Sequence, residues 1–452
     1  MRNSIFLLLF VLFSFEKINA QQQQASASTI FSQMKKVADW QWKSLETEGW
    51  KNSKKDWTNS VLYTGMMAWS KLADSDIYYK KLIGVGENNK WKTGKYRFFA
   101  DDYCVGQMYA QLYSIYKKPE FIEDLKNLGD SLVKLPHTES LEWKNNIFTR
   151  EWAWCDALFM GPPTLGYLSK ATGDSKYINK ASELWWKSTA YLFDEDEHLF
   201  YRDSRYFNKK EKNGAKVFWS RGNGWVIAGL ARVLSVLPQN HPDRKRFVDL
   251  FVKMSGKLAK LQQPDGTWHA SLLDPESYPS KETSGTGLIC YAMAWGINNG
   301  LLPYEKYKFV ISNAWTALSS SVHPDGKLGF VQPQGAAPDK VGYDDTDVFG
   351  VGAFLLAGSE MFPLYLKHRN NVLIKEVYNG DSVAKAQIVE LKWLDIAKKI
   401  SKAKPNKIEV RDGATGILIP SIIVCKGKKP QLLRYKAELS AGTNRFFEIS
   451  TK

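Results

Sequence analysis

Apolar positions recur at intervals of three and four residues along most of the chain, as in FSQMKKVADWQW and YCVGQMYAQLYSIY. That spacing puts one buried stripe on an α-helix. A second pattern repeats between such stretches. SKLADSDIYYKKL, YSIYKKPEFIEDL, LSKATGDSKYINKA and NNGLLPYEKYKFV each join a helix end, a short polar turn and an aromatic in the first turn of the next helix. Repeated punctuation of this kind predicts helical hairpins, about twelve helices in all over residues 30–362. The architecture it suggests is mainly α, an (α/α)6 barrel whose inner helices line a cup. An open solenoid would keep a fixed repeat length, and the long irregular loops here do not.

Two of those loops look alike. QQPDGTWHASLLDPESYPSKETSGTG and SSVHPDGKLGFVQPQGAAPDKVGYDDTDVFG both hold a PDG turn, a short extended piece and a polar start to an apolar helix. Asp265-Gly266 and Asp325-Gly326 are turn formers. Loops placed between outer and inner helices would rim the cup and can carry function. After His368 the pattern changes to β-branched runs separated by turns, among them NVLIKEVYN, AQIVELKW and NKIEVRDGATGILIPSIIVC. These predict a small β-rich module with a structural or accessory role. The expected division is a leader over 1–20, a helical domain over 21–367 and the β-rich module over 368–452.

The first residues, MRNSIFLLLFVLFSFEKINAQQQQ, combine Arg2, an apolar run too short for a membrane span and small Ala20 before polar glutamines. This is the pattern of a cleaved export signal. Export to the periplasm or beyond is therefore expected, and no later run reads as a membrane span. Cys104, Cys155, Cys290 and Cys425 are far apart with no CxxC spacing, so buried free thiols are expected rather than a zinc site or a disulfide framework. The formal charge is +15, and removing Arg2, Lys17 and Glu16 with the leader leaves +14. A basic surface attracts anions. No nucleic-acid motif is present, whereas 17 Trp and 21 Tyr favour sugar, whose apolar ring faces stack on aromatics.

Candidate chemistry concentrates in a few places. In REWAWCDALFMGPPTLGYL, Asp156 stands among Trp152, Trp154, Phe159 and Met160. A carboxylate on an aromatic-lined helix face would have a raised pKa and can act as a general acid. The same residues also fit a buried Asp satisfied by backbone or arginine hydrogen bonds. FFADDYCVGQMYAQ places Asp101 and Asp102 at a helix start, one as an N-cap and the other free to face the cup. Paired carboxylates from different helices are what sugar-cleaving sites often use. VFWSRGNGWVIAGL clusters Trp219, Arg221, Asn223 and Trp225 around two glycines; Trp offers a stacking face and Arg a bidentate carboxylate clamp. HLFYRDSRYF adds Arg202 and Arg205 beside aromatics, which suits an anion or plain surface packing. His269 and His323 sit in loops, where a lone histidine is usually solvated. No HExxH or serine nucleophile elbow is present.

Taken in order, DD-x-x-x-G, W-x-D-x-L-F-M-G-P-P, L-F-Y, W-S-R-G-N-G-W, D-G-x-W and E-T-S-G-T-G resemble glycoside hydrolase family 105, the unsaturated rhamnogalacturonyl hydrolases, related to the family 88 unsaturated glucuronyl hydrolases. The resemblance spans residues 30–362 and is most specific at WCDALFMGPP and WSRGNGW. It implies the (α/α)6 barrel. It also implies an oligosaccharide substrate ending in a 4-deoxy-4,5-unsaturated uronic acid left by a polysaccharide lyase. In such enzymes an Asp protonates C4 of the enol ether, water adds at C5, and the resulting hemiketal opens and releases the glycosidic bond, with no metal or organic cofactor. The resemblance assigns the proton transfer to Asp156 and a supporting catalytic role to Asp102, less readily to Asp101. It implies substrate contacts at Trp219, Arg221 and Trp225, and Asp101, Trp152, Arg202 and His269 are further candidates for substrate binding. Arg202 departs from the histidine common after L-F-Y, and an extra cation there suits a sulfate or second carboxylate, as in a sulfated algal polysaccharide such as ulvan. An ordinary glycosidase or lyase on the same barrel, and a non-catalytic periplasmic glycan-binding protein, are the competing readings.

Overall fold

The computed structural model describes residues 26–144 and 151–452; the leader expected over 1–20, and Arg150, lie outside them. The chain is mainly helical with a small C-terminal sheet region. The helical part runs through α1 (Ala27–Thr47), α2 (Trp57–Leu72), α3 (Ile77–Asn88), α4 (Ala100–Tyr103), α5 (Gly106–Tyr116), α6 (Glu123–Lys134), α7 (Ala157–Thr172) and α8 (Lys176–Leu192). A hairpin of β1 (Phe193–Asp194) and β2 (Leu199–Phe200) precedes α9 (Ser220–Leu234), α10 (Arg244–Leu261), α11 (Thr283–Asn298), α12 (Tyr304–Ser320) and α13 (Val348–Lys367).

Two kinds of helix alternate. α6 buries Leu125, Leu128, Gly129 and Leu132 and leaves its other side to water, the stripe expected of an outer helix. α9 is buried at every position and α11 from Thr283 to Ile297, as a helix surrounded by others must be. Contacts run from α2 to α5, α7, α9, α11 and α13, and from α13 back to α2, while α8, α10, α12 and α1 lie on the outside against α7, α9, α11 and α13. α13 is long and apolar enough to cross a membrane, contrary to the expectation that no such run follows the leader, but 78% of that stretch is buried inside the protein. Its apolarity serves the ring. α2 and α13 meet backbone to backbone: a methyl added at Gly352 would lie 2.4 Å from the Val61 carbonyl oxygen, so only glycine permits the approach.

The two prolines of α7, Pro162 and Pro163, remove N–H groups that would bond the carbonyls of Leu158 and Phe159. Gln107 of α5 donates Nε2 to the Phe159 carbonyl at 2.9 Å, and Arg232 of α9 holds Gln107 through Nε at 2.8 Å. The Pro-Pro pair thus lets a neighbouring helix bond into α7.

The C-terminal module comprises β3 (Leu373–Tyr378), β4 (Lys385–Lys392), α14 (Trp393–Lys399), β5 (Ile408–Asp412), β6 (Leu418–Ile419), β7 (Ser421–Lys426), β8 (Lys429–Leu439) and β9 (Asn444–Thr451). Its strands form a four-stranded sheet in the order β3-β9-β5-β6 and a three-stranded sheet in the order β4-β8-β7. Both cover a core of their own that includes Ile396, Val410, Leu433, Phe447 and Ile449. The module docks on the turn after α2. There Asp74 accepts from the Ser440 N–H at 3.2 Å and pairs with Arg445 at 3.2 Å, and Tyr79 donates to the Gly442 carbonyl at 3.0 Å.

Candidate active site

The inner helices bring their first turns together at one end. Asp56 caps α2, Glu282 caps α11 and Asp347 caps α13, each with a carboxylate that accepts backbone N–H groups of its own helix. This satisfies donors that a helix start leaves open. Aromatic rings from four of these helices interlock just inside. Trp57 lies 6.1 Å from Trp225 and 5.3 Å from Phe349, and Phe159 lies 5.0 Å from Trp225.

Asp156 occupies the N-cap position of α7, but its side chain makes no capping bond. It precedes the helix rather than riding on its face, and Trp152 lies in the loop before it. Asp156 is also not unpaired. Arg202 Nε stands 3.4 Å from its Oδ2, too poorly aligned to count as a hydrogen bond. The backbone fixes this meeting, since the Cys155 N–H donates to the Arg202 carbonyl at 2.8 Å. Arg202 and Arg205 both pair with fully buried Asp203, at 2.7 and 2.9 Å, and both stack over Trp143, at 4.7 and 4.1 Å. Burial alone would raise the Asp203 carboxyl; its two arginines outweigh that and hold it below the usual range. Burial also opposes the Arg202 charge, and Asp156 and Asp203 hold the guanidinium fully protonated.

The adjacent aspartates take opposite directions. α4 is capped by Phe99, so neither Asp is the N-cap. Asp102, the expected catalytic partner, turns away: its carboxylate accepts the Tyr96 N–H and its carbonyl accepts the Gly94 N–H. It pins the loop before α4. Asp101 is the one buried toward Asp156. Burial raises its carboxyl well above the usual range, and the negative charge of Asp156 raises it further, against the pull of Arg202. Its Oδ1 has no hydrogen-bond partner. Burial and the neighbouring Asp156 therefore both favour the protonated form of Asp101.

The tryptophan and arginine cluster is sunk deeper than a substrate clamp should be. Arg221 is fully buried and spends its guanidinium on the carbonyls of Gln332 and Pro333, at 2.6 and 2.7 Å. Burial lowers it to about 10, although Glu282, Asp156 and Asp347 favour its charge. Trp219 is buried beside it and donates to Gln332 Oε1 at 2.9 Å. Both residues anchor the loop that follows the second PDG turn. Trp225 is part of the aromatic wall, and Trp152 is buried with its Nε1 donating to Tyr103 at 2.8 Å. Asn223 ties α9 to the β hairpin through the Phe200 N–H and carbonyl, at 2.8 and 3.0 Å, and so orients Arg202 two residues on. His269 is not solvated: its ring nitrogens lie 3.2 Å from the Pro275 carbonyl and 3.2 Å from Asp265. The four cysteines are free; Cys104, Cys155 and Cys290 are buried and Cys425 is exposed.

Sequence reasoning missed Asp203, Trp143 and Gln332. Asp203 lies between the two arginines in YRDSR, and that spacing was the available signal. Among the described residues no group of three or more His, Cys, Asp or Glu side chains is arranged to hold a metal ion.

The family model for Glycosyl Hydrolase Family 88 matches residues 24–365. Two proteins named unsaturated 3S-rhamnoglycuronyl hydrolase are similar to this chain. That of Formosa agariphila is 38% identical over 323 residues, covering 68% of this chain and 85% of the relative. That of an Alteromonas species is 36% identical over 319 residues, covering 68% and 77%. A solved family 88 glycosyl hydrolase from Bacteroides vulgatus superimposes with a TM-score of 0.68 at 30% identity, over 75% of this chain and 99% of its own. A solved structure described as a polysaccharide lyase superimposes with a TM-score of 0.69 at 32% identity, over 76% and 99%. The chain belongs to glycosyl hydrolase family 88.

Proposed function

We propose that this enzyme removes the terminal 4-deoxy-4,5-unsaturated uronic acid from oligosaccharides left by a polysaccharide lyase, by hydrating the C4=C5 double bond. The architecture is read as an (α/α)6 barrel whose cup is the end where the inner helices start. One observation carries the reaction. Asp101 and Asp156 stand at the starts of α4 and α7 without capping either helix, and Asp156 adds to burial in raising the Asp101 carboxyl.

Hydration of an enol ether needs an acid for C4 and a base for the water entering at C5. Asp156 makes both transfers, delivering the proton to C4 and taking one from water. The proton that Asp156 delivers comes from Asp101, in the role first given to Asp102, and the proton taken from water restores the pair. Two carboxyl groups sharing one proton are suited to this, because like charges in one dry site resist ionising together. Addition of OH to C5 leaves a hemiketal; its opening forms a C5 carbonyl and frees the C1 oxygen, and the leaving sugar departs with its own glycosidic oxygen. Arg202 is placed to hold the substrate carboxylate while it orients Asp156.

The names of the two hydrolase relatives support a 3S-rhamnoglycuronyl substrate, and Arg205, less buried than Arg202, is a cation available to a sulfate on it. The leader-like N-terminus supports work outside the cytoplasm, where lyase products accumulate. The test follows the ultraviolet absorbance of the unsaturated uronate over a panel of sulfated and unsulfated lyase products. Wild-type enzyme lowers the absorbance. Asp156→Asn keeps the fold and loses about 10³-fold or more in kcat, as expected for loss of a group acting as acid and base. The similarity to a structure described as a lyase makes lyase action the second reading. A lyase raises the absorbance on intact polymer, so the sign of the change separates the two.

A further inference from the structure

The last turns of the same inner helices line a half-open pocket at the end away from Asp101 and Asp156. Its volume is about 500 Å³, within the range of small-molecule sites. The helices supply its walls, and Glu376, Tyr378, Asn444 and Phe446 of the C-terminal module roof it. The docked module is therefore part of this chamber.

Its chemistry is unusual for a structural void. Arg232 lines it and is 3% exposed. Arg232 bonds Gln107 through Nε at 2.8 Å, its guanidinium carbon lies 4.9 Å over the Tyr167 ring, and Nη2 has no partner. Among the described residues no carboxylate forms an ion pair with this guanidinium, and a buried charge without a counter-ion is costly. Opposite in charge is Glu360, which accepts from Asn298 Nδ2 at 2.7 Å and which burial pushes up to about 7. Lys71, Lys170 and Lys367 add positive charge around the cavity, partly offsetting the negative ends of the helices.

Tyr167, Tyr291 and Trp295 on the walls and Tyr378 in the roof offer ring faces. A bare inorganic anion would use Arg232 and leave these rings idle, and Glu360 would oppose it. A neutral sugar would leave the guanidinium unmatched. We propose that this chamber binds a sugar acid of hexuronate size, its carboxylate on Arg232, its hydroxyls on Glu360 and Asn298, and a ring face on the tyrosines. The module that the sequence marks only as accessory would supply the roof of this site. Nothing in it depends on the reaction assigned to the other end.

The test uses the full chain and D-glucuronate as the probe. Crystals grown with it should show the sugar in this chamber with its carboxylate on Arg232; an empty chamber at saturating glucuronate overturns the proposal. In solution, calorimetry should resolve a glucuronate site whose affinity falls tenfold or more in both Arg232→Gln and Ser359→Trp, the second placing bulk in the cavity without touching the arginine. Glucose and sulfate should bind there at least tenfold more weakly. In both variants kcat/KM on the unsaturated substrate should stay within twofold of wild type. A glucuronate isotherm unchanged in Ser359→Trp, or glucose bound as tightly as glucuronate, contradicts it.

Discussion

Asp101 and Asp102 are neighbours in sequence with opposite duties. Asp102 serves a loop N–H, whereas Asp101 has an oxygen that serves nothing. Asp101→Asn should therefore lower kcat by about 10²-fold or more, while Asp102→Asn, whose amide oxygen can still accept from Tyr96, should stay within about threefold. Steady-state rates on one unsaturated oligosaccharide decide it. The pair should also differ in stability. Asp101 keeps its proton in the folded chain to well above the ordinary carboxylate value, and loses it near pH 4 when unfolded. The folded state then holds more protons, so stability falls as pH rises from about 4 toward that raised value. Asp101→Asn removes the effect and should raise the melting temperature at neutral pH by on the order of a few degrees. Asp156 was singled out in sequence as a carboxylate on an aromatic-lined helix face, whereas it stands one residue before α7. Which of Asp101 and Asp102 faces inward was not. Consecutive residues of a short helix point about 100° apart, and the loop at Gly94–Tyr96 decides the rotation.

The first PDG loop is an element whose order depends on protonation. Both ring nitrogens of His269 face acceptors, so the ring holds the loop best when both donate. Burial works against that charge, but Asp265 and the Pro275 carbonyl outweigh it and raise the histidine above its ordinary value, while Asp265 is lowered to about 2. The staple's stability is fully present below about pH 6.5 and is lost as pH rises through the raised value. Amide exchange of Thr267 and its neighbours, corrected for intrinsic rate, should accelerate above that point in wild type and show no such step in His269→Gln. The start of α11 is fixed sterically. A methyl at Gly285 would lie 2.9 Å from Glu282 Oε2 and 3.0 Å from the Arg221 backbone nitrogen. Gly285→Ala should cost about 1–3 kcal/mol in denaturant unfolding by forcing α9 and α11 apart at the cup. The turns themselves were readable, since Gly266 and Gly326 take φ of 86° and 112°. The destination of Arg221 was not: its carbonyl partners lie 111 and 112 residues along the chain, a separation that local pattern does not report.

Across the whole molecule, the inner helices put their positive starts, Asp101, Asp156 and aromatic rings at one end. Helix starts favour anionic groups there, and the chain's +15 formal charge favours the approach of a polyanion fragment. The alternation of buried and amphipathic helices was written in the spacing of apolar residues, as was the switch to strands after His368. The docking of the module on Asp74 and its part in a second chamber were not, because both depend on residues more than 300 positions apart. The central claim is that the double bond, rather than the anomeric carbon, is attacked. The direct measurement is the reaction in heavy water, with the released sugar examined by NMR. Hydration predicts one solvent deuteron at C4 for each turnover, together with loss of the unsaturated signal. Release of an intact unsaturated sugar without deuterium at C4 would contradict the account.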